Sequence, residues 1–196
     1  MAATRRLDET GFDRAWDDGP GRLDALQAVA GVAMPFMHAI GEGWAAGTVG
    51  IGQEHFASNL VRQRLVGLRP TTAPAGPQAV LACPSGERHD LGLLAFGVLM
   101  AHEGWRVRFL GADTPLADLA RACHQVEPQL VILSATRARV FEARATALTT
   151  LARSFPLAFG GSGASEELAQ ELGGTVLPQE LDRALAQVAS LAAPSD

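Results

Sequence analysis

The sequence predicts an α/β protein: a parallel sheet covered by helices on both faces, with a helical bundle before it. Three observations carry this. From residue 78 onward, short apolar runs alternate with helix-like segments, the pattern of repeated βα units. Before that point the apolar residues recur at helical spacing. Between the halves lies Pro70-Thr71-Thr72-Ala73-Pro74-Ala75-Gly76-Pro77, with three prolines in eight residues. Such a stretch cannot be helix interior, because proline lacks an amide hydrogen and its ring clashes with the preceding turn. The expected organisation is a bundle over residues 1–70, a linker over 71–77 and an α/β domain over 78–196.

In the first part, Leu7–Asp17, Arg22–Ala46 (with breaks near Gly31 and Pro35) and Val49–Leu68 carry helical spacing, enough for four short helices. In the second, strands are expected at Val80–Cys83, Arg106–Leu110, Leu130–Leu133, Leu157–Phe159 and Thr175–Leu177. Helices are expected at Leu91–His102, Leu116–Gln125, Val140–Arg153, Ser165–Leu172 and Glu180–Leu191.

Composition narrows the function classes. The apolar fraction of 47% supports a sizeable core, in one domain or two small ones. The net charge of −5, without a block of like charge, argues against a nucleic-acid surface. No apolar run is long enough to span a bilayer. Met1 to Asp8 holds two arginines but no apolar core of a signal peptide, so a cytoplasmic protein is expected. Cys83 and Cys123 lie 40 residues apart with no CxxC, which argues against a zinc cage; both read as buried apolar residues.

The chemistry-bearing stretch is Glu87-Arg88-His89-Asp90-Leu91-Gly92, a Glu-x-His-x-x-Gly between the first strand and the first helix of the α/β part. In an open α/β sheet such a loop lies at the carboxyl ends of the strands, where ligands bind. A neutral imidazole there can ligate a metal, and Glu87 or Asp90 can fix its tautomer. Gly92 lets a bulky group approach the backbone. Taken alone, the motif is equally a plain βα loop with an exposed histidine. Ser134 and Thr136 follow the third strand, and Gly160-Gly161-Ser162-Gly163 follow the fourth. These read by themselves as a helix N-cap and a tight turn, or as a cradle for a nucleotide phosphate, although no GxGxxG follows the first strand.

Together His89, Gly92, Ser134, Gly160 and Gly161 resemble the His-x-x-Gly, Ser-x-Leu and Gly-Gly signature of base-off, His-on cobalamin domains, with Thr136 where leucine is usual. Trp44, Glu54 and His55 form a Trp-x9-Glu-His upstream of it. The whole is similar to the cobalamin-binding module of the CarH-type light-sensing regulators and to their stand-alone relatives, the photocobilins. The resemblance covers nearly the whole chain. It implies a Rossmann-like (flavodoxin-like) cobalamin-binding domain preceded by a helical bundle that caps the cofactor's upper face. It makes His89 the lower cobalt ligand and lines the cofactor site with Glu87, Arg88, Asp90, Leu91, Gly92, Ser134, Thr136, Gly160 and Gly161. Trp44, Glu54 and His55 then cover the 5′-deoxyadenosyl group of adenosylcobalamin. Many CarH-type sensors carry a histidine directly after this tryptophan, and it takes the upper cobalt position after photolysis. Here that residue is Ala45, which leaves His55, His38 or water for the place. His102 and His124 are expected on the surface at helix ends.

The resemblance implies a light sensor rather than an enzyme. Loss of the upper ligand would change conformation or assembly and so regulate a partner protein. A homodimer is expected, with no nucleic-acid binding by this chain, since no helix-turn-helix precedes the bundle, and no membrane. The photocobilin likeness admits a bilin such as biliverdin as a second chromophore, without a covalent bond if both cysteines are buried. The alternative is a corrinoid carrier protein of a methyltransferase system, which needs an open upper face; a bulky Trp44 argues against it. A mutase subunit lacks its substrate barrel here, and a nucleotide-binding flavodoxin-like domain is the plainest remaining reading.

Overall fold

The computed structural model describes residues 1–72 and 74–191. The chain forms two compact units, Met1–Arg69 and Pro70–Asp196. Residue 73 of the expected linker and residues 192–196 of the expected α/β domain lie outside the described residues.

The first unit is helical: α1 (Ala2–Arg5), α2 (Glu9–Asp18), α3 (Ala25–Ala28), α4 (Met34–Ala45) and α5 (Ile51–Gly67). Asp8 caps α2 by accepting the Gly11 amide at 2.8 Å, and Asp24 caps α3 by accepting the Gln27 amide at 2.8 Å. The breaks expected near Gly31 and Pro35 do not occur. Residues 25–45 run on through a π turn at Val29–Ala33, where the Met34 amide bonds to the Val29 carbonyl. Pro35 has no amide for the residue 31 carbonyl, and the wider turn gives its ring room without ending the helix. Buried Phe12 lies 6.3 Å from the Trp16 ring and 5.8 Å from Phe36, while Ile40, Val49 and Ala57 pack together where α4 turns into α5. Arg64 pairs with Asp13 and Asp17 and ties α5 to α2.

The second unit alternates strand and helix: β1 (Gln78–Pro84), α6 (Leu91–His102), β2 (Arg106–Thr114), α7 (Leu116–Val126), β3 (Leu130–Ser134), α8 (Ala138–Glu142), α9 (Ala145–Ala152), β4 (Leu157–Gly160), α10 (Glu166–Glu171), β5 (Thr175–Val176) and α11 (Leu181–Leu191). The five strands are all parallel in the order β2-β1-β3-β4-β5. Apolar cores lie on both faces. One holds Leu119, Phe141, Leu148 and Phe159, the other Leu93, Phe96, Met100 and Val188. Every residue of β1 is buried, as a central strand of a doubly covered sheet must be. Strand order reverses between β1 and β3, which opens a crevice at their carboxyl ends.

Two elements differ from expectation. The helix expected over Val140–Arg153 is two helices, α8 and α9, because Arg144 adopts φ −129° and its guanidinium turns back to the Val140 carbonyl at 2.9 Å. Strand β2 runs on to Thr114 through two register shifts against β1, so its last turn of polar and glycine residues belongs to the sheet and not to a loop. The end of the proline-rich stretch is laced to this unit: the Gly76 amide donates to Gly104 O at 3.1 Å and the Arg106 amide to Pro77 O at 2.8 Å. His102 and His124 are exposed, and the His124 ring meets the edge of Phe155 at 5.1 Å. Among the described residues no helix is long and apolar enough to cross a membrane.

Candidate functional site

The site in the second unit is built where β1, β3 and β4 end. After Pro84 the chain turns at Gly86, whose φ of +86° lies in the left-handed region. The turn is pinned to β2. The Gly86 amide donates to Asp113 Oδ1 at 2.6 Å, the Ser85 amide to Thr114 O at 3.0 Å, and the Asp113 amide to Glu87 O at 2.8 Å. The register shifts of β2 bring Asp113 back to this loop, a common use of a bulge beside a site.

Glu87 is the hub. It is 2% exposed, and both carboxylate oxygens are taken. Oε1 accepts the His89 amide at 2.8 Å and pairs with His89 Nδ1 at 2.6 Å. Oε2 accepts the Thr136 amide and the Thr136 hydroxyl, each at 2.7 Å. Burial pushes the Glu87 carboxyl up, but these four donors outweigh it and hold the group down at about 2. The side chain is therefore an ionised acceptor at neutral pH, and the partner nitrogen must be the donor. In the neutral ring the proton sits on Nδ1 and Nε2 keeps its lone pair. The His89 side chain is 73% exposed, so that nitrogen is offered outward.

The β3 and β4 loops are stitched beside it. The Ala135 amide donates to Gly160 O at 3.2 Å, the Gly163 amide to Ala135 O at 2.9 Å, and Ser162 Oγ to Thr136 O at 3.0 Å. Gly161 has φ +82°, and a Cβ there would fall 2.4 Å from Ala135 O and 2.9 Å from Ser134 Oγ. A Cβ at Gly160 would meet nothing within 4 Å. Gly161 is thus required by the chain's own packing, whereas Gly160 leaves open space at the rim. Gly163, not singled out from sequence as a site residue, is required too: its Cβ would lie 2.4 Å from the Arg137 carbonyl carbon. The glycine cluster itself was the available signal.

Of the residues expected here, Glu87, His89, Ser134, Thr136, Gly160 and Gly161 share this edge. Of the two carboxylates proposed to orient the imidazole, Glu87 makes the contact. Asp90 is buried at the N-cap position of α6, and Leu91 and Gly92 form the helix's first turn. Arg88 is exposed. Cys83 is buried behind the loop; burial, then the Asp90 and Glu87 charges, push its thiol up to about 12. Burial pushes Cys123 up to about 11.

Trp44, Glu54 and His55 lie in the first unit. Trp44, 56% exposed, is one residue from the end of α4. The turn after it is fixed by the Thr48 and Val49 amides on Gly43 O, and the Gly50 amide donates to Gln53 Oε1 at 2.8 Å as α5 begins. Glu54 Oε2 pairs with His55 Nδ1 at 2.6 Å, and Glu54 Oε1 accepts Ser58 Oγ at 2.6 Å. His38 instead uses Nε2 to pair with Glu42 at 3.3 Å.

Among the described residues no group of three or more His, Cys, Asp or Glu is gathered as a metal cage. A single outward imidazole with a fixed tautomer suits a metal that arrives with its other ligands already bound, as cobalt does in a corrin ring. Fold and site together define a parallel α/β module that carries one oriented, exposed histidine at its switch point.

The chain belongs to the B12 binding domain family, which matches residues 77–188; a second B12 binding domain family matches residues 2–67. It is 42% identical over 160 residues to the HTH-type transcriptional repressor CarA of Myxococcus xanthus, a match over 79% of this chain and 54% of that protein. It is 36% identical over 170 residues to the HTH-type transcriptional repressor CarH of the same organism, over 84% of this chain and 56% of that protein. The chain thus spans about half the length of these curated relatives. Among solved structures it is similar to the monomethylamine corrinoid protein of Methanosarcina barkeri (TM-score 0.75, 15% identity, 97% of this chain and 95% of that one). It is also similar to a cobalamin-binding protein of Desulfitobacterium hafniense DCB-2 (TM-score 0.56, 22% identity, 98% and 96%). At these identities the structural likeness shows the fold alone.

Proposed function

We propose that this chain is a cobalamin-binding sensor of a regulatory system. It takes adenosylcobalamin base-off with His89 Nε2 on cobalt, and it responds to light by losing the upper ligand. The observation that carries this reading is the Thr136–Glu87–His89 arrangement, which makes Nε2 the free acceptor of an exposed ring. Membership in the B12 binding family supports cobalamin as the ligand, and kinship to two repressors supports a regulatory output.

Bound adenosylcobalamin supplies a cobalt–carbon bond that visible light breaks. The chain's own residues do the rest. Glu87 holds the proton on His89 Nδ1, and Thr136 holds Glu87. Gly160 leaves room for the nucleotide tail beside Ser134. Trp44 offers an apolar wall to the adenosyl group, and Glu54 accepts from its hydroxyls. Once that group leaves, the helical unit shifts and the assembly changes, and a partner protein reads the change.

Absorbance of the full chain loaded with adenosylcobalamin, in the dark and after green light, tests the proposal. The expected result is a base-off, His-ligated spectrum that converts on illumination. A spectrum that stays base-on, or a bound cofactor that light leaves unchanged in protein that turns over methylcobalamin with a thiol acceptor, would favour a corrinoid carrier.

A further inference from the structure

Gln179 ties the end of β5 to the glycine turn after β4. The Leu177 amide donates to Phe159 O at 2.8 Å and keeps the two chains paired past Val176. Two residues on, Gln179 Nε2 donates to Gly161 O at 3.2 Å. Gly161 in turn packs so close to β3 that a Cβ on it would fall 2.9 Å from Ser134 Oγ. The carboxyl ends of β3, β4 and β5 thus line up the Ser134 hydroxyl, the glycine turn and the Gln179 amide. We propose that Gln179 is a specificity-determining residue: it accepts a ribose hydroxyl of the cofactor's nucleotide tail and so favours complete corrinoids over those without a nucleotide. This rests on the cobalamin reading above.

A carboxamide has one donor end and one acceptor end. Because Nε2 is spent on the Gly161 carbonyl, Oε1 faces the other way, and it has no protein partner among the described residues. The ligand group that fits it is therefore a donor. In a detached nucleotide tail the phosphate and the base nitrogens only accept, whereas the ribose hydroxyls donate. The amides of the corrin ring donate as well, and the experiment below separates the two sources. Space for the tail is at hand: a Cβ at Gly160, one residue before the carbonyl that Gln179 holds, would meet nothing within 4 Å.

The tie contributes little to the fold. It is long and exposed, and the net gain of such a bond is small against the side-chain freedom it costs. Gln187 makes the contrast. Its Nε2 donates to Val176 O at 2.9 Å from a partly buried position and holds α11 to the sheet.

The test titrates the full chain in the dark with aquocobalamin and with aquocobinamide, which keeps the corrin and its amides but has no nucleotide. Gln179→Ala should bind aquocobalamin about 3- to 10-fold more weakly, the scale of one net hydrogen bond, and aquocobinamide as the wild type does. Gln179→Glu keeps an acceptor but cannot donate to Gly161 O, and should lose at least as much for aquocobalamin alone. Thermal unfolding of the cofactor-free variants should match the wild type. Equal losses for both corrinoids would assign the contact to the corrin amides or to the turn's structure, and would overturn the inference. So would wild-type affinity for aquocobalamin in Gln179→Ala. Both results leave the cobalamin reading intact. A wild type that takes up neither corrinoid overturns both.

Discussion

The buried Glu87 carboxylate accepts the Thr136 amide and hydroxyl with Oε2. Removing the Thr136 hydroxyl with Thr136→Val keeps the volume but takes one donor from an ionised, buried carboxylate. We expect a loss of about 1–2 kcal/mol in urea unfolding, together with weaker cobalamin binding if His89, which Glu87 orients, is the proposed cobalt ligand. Unchanged stability and affinity would mean that the hydroxyl is incidental. The two loop glycines should separate cleanly. Gly161→Ala places a Cβ 2.4 Å from a carbonyl oxygen at a positive φ and should destabilise by about 2 kcal/mol or more. Gly160→Ala should leave thermal unfolding unchanged and reduce cofactor binding. If both variants melt alike, Gly160 has no role beyond the turn. The thiols make a further test. The chain contains no lysine and no tyrosine, so side-chain titration above pH 9 falls to the cysteines. Folding holds Cys123 protonated to about 11, against 9.0 as its ordinary value. A group with a raised folded pKa stabilises fully below the unfolded value and loses that contribution as pH rises through the folded one. The urea midpoint should therefore be flat below pH 9 and fall between pH 9 and 11, with the fall reduced in Cys123→Ala. A midpoint that falls equally in the variant would contradict this.

At the scale of elements, the sequence pattern carried most of the second unit. Helix α6 is apolar on all sides and flanked by Asp90 and Gly104, so its limits Leu91–His102 were legible, and the strands stood out as short apolar runs. What was not legible depended on contacts distant in sequence or on one backbone choice. The end of β2 reads as loop, since Gly111, Ala112 and Asp113 have no strand character; only pairing with β1 and the Gly86 amide makes them sheet. The break between α8 and α9 has no glycine or proline to mark it and rests on Arg144 turning back on Val140. Conversely, Pro35 looks like a helix breaker but is absorbed by a π turn. At the site, the sequence marked Glu87 and His89 as neighbours but left Asp90 as an equal candidate for the carboxylate. The bond from Thr136 to Glu87, 49 residues apart, has no local signature.

At the scale of the whole molecule, assembly is open to a direct test. Leu23, Leu26, Ile51 and Val66 of the first unit are exposed apolar side chains, and a homodimer in the dark would cover surface of this kind. Light scattering on adenosylcobalamin-loaded protein should give a dimer in the dark and a changed mass or radius after illumination. Complete photolysis with mass, radius and amide exchange of residues 22–68 all unchanged would make this a passive cobalamin binder.

The proposed function stands or falls on His89 as the protein's ligand to cobalt. Protein labelled with 15N at histidine alone, loaded with cob(II)alamin, tests it by electron paramagnetic resonance. The axial nitrogen splits each cobalt line into three when it is 14N and into two when it is 15N. Doublets are expected in the labelled protein, triplets in the unlabelled one, and loss of the doublets in His89→Ala. Triplets that persist in the labelled protein would mean that the cofactor keeps its own benzimidazole and that His89 is not the ligand.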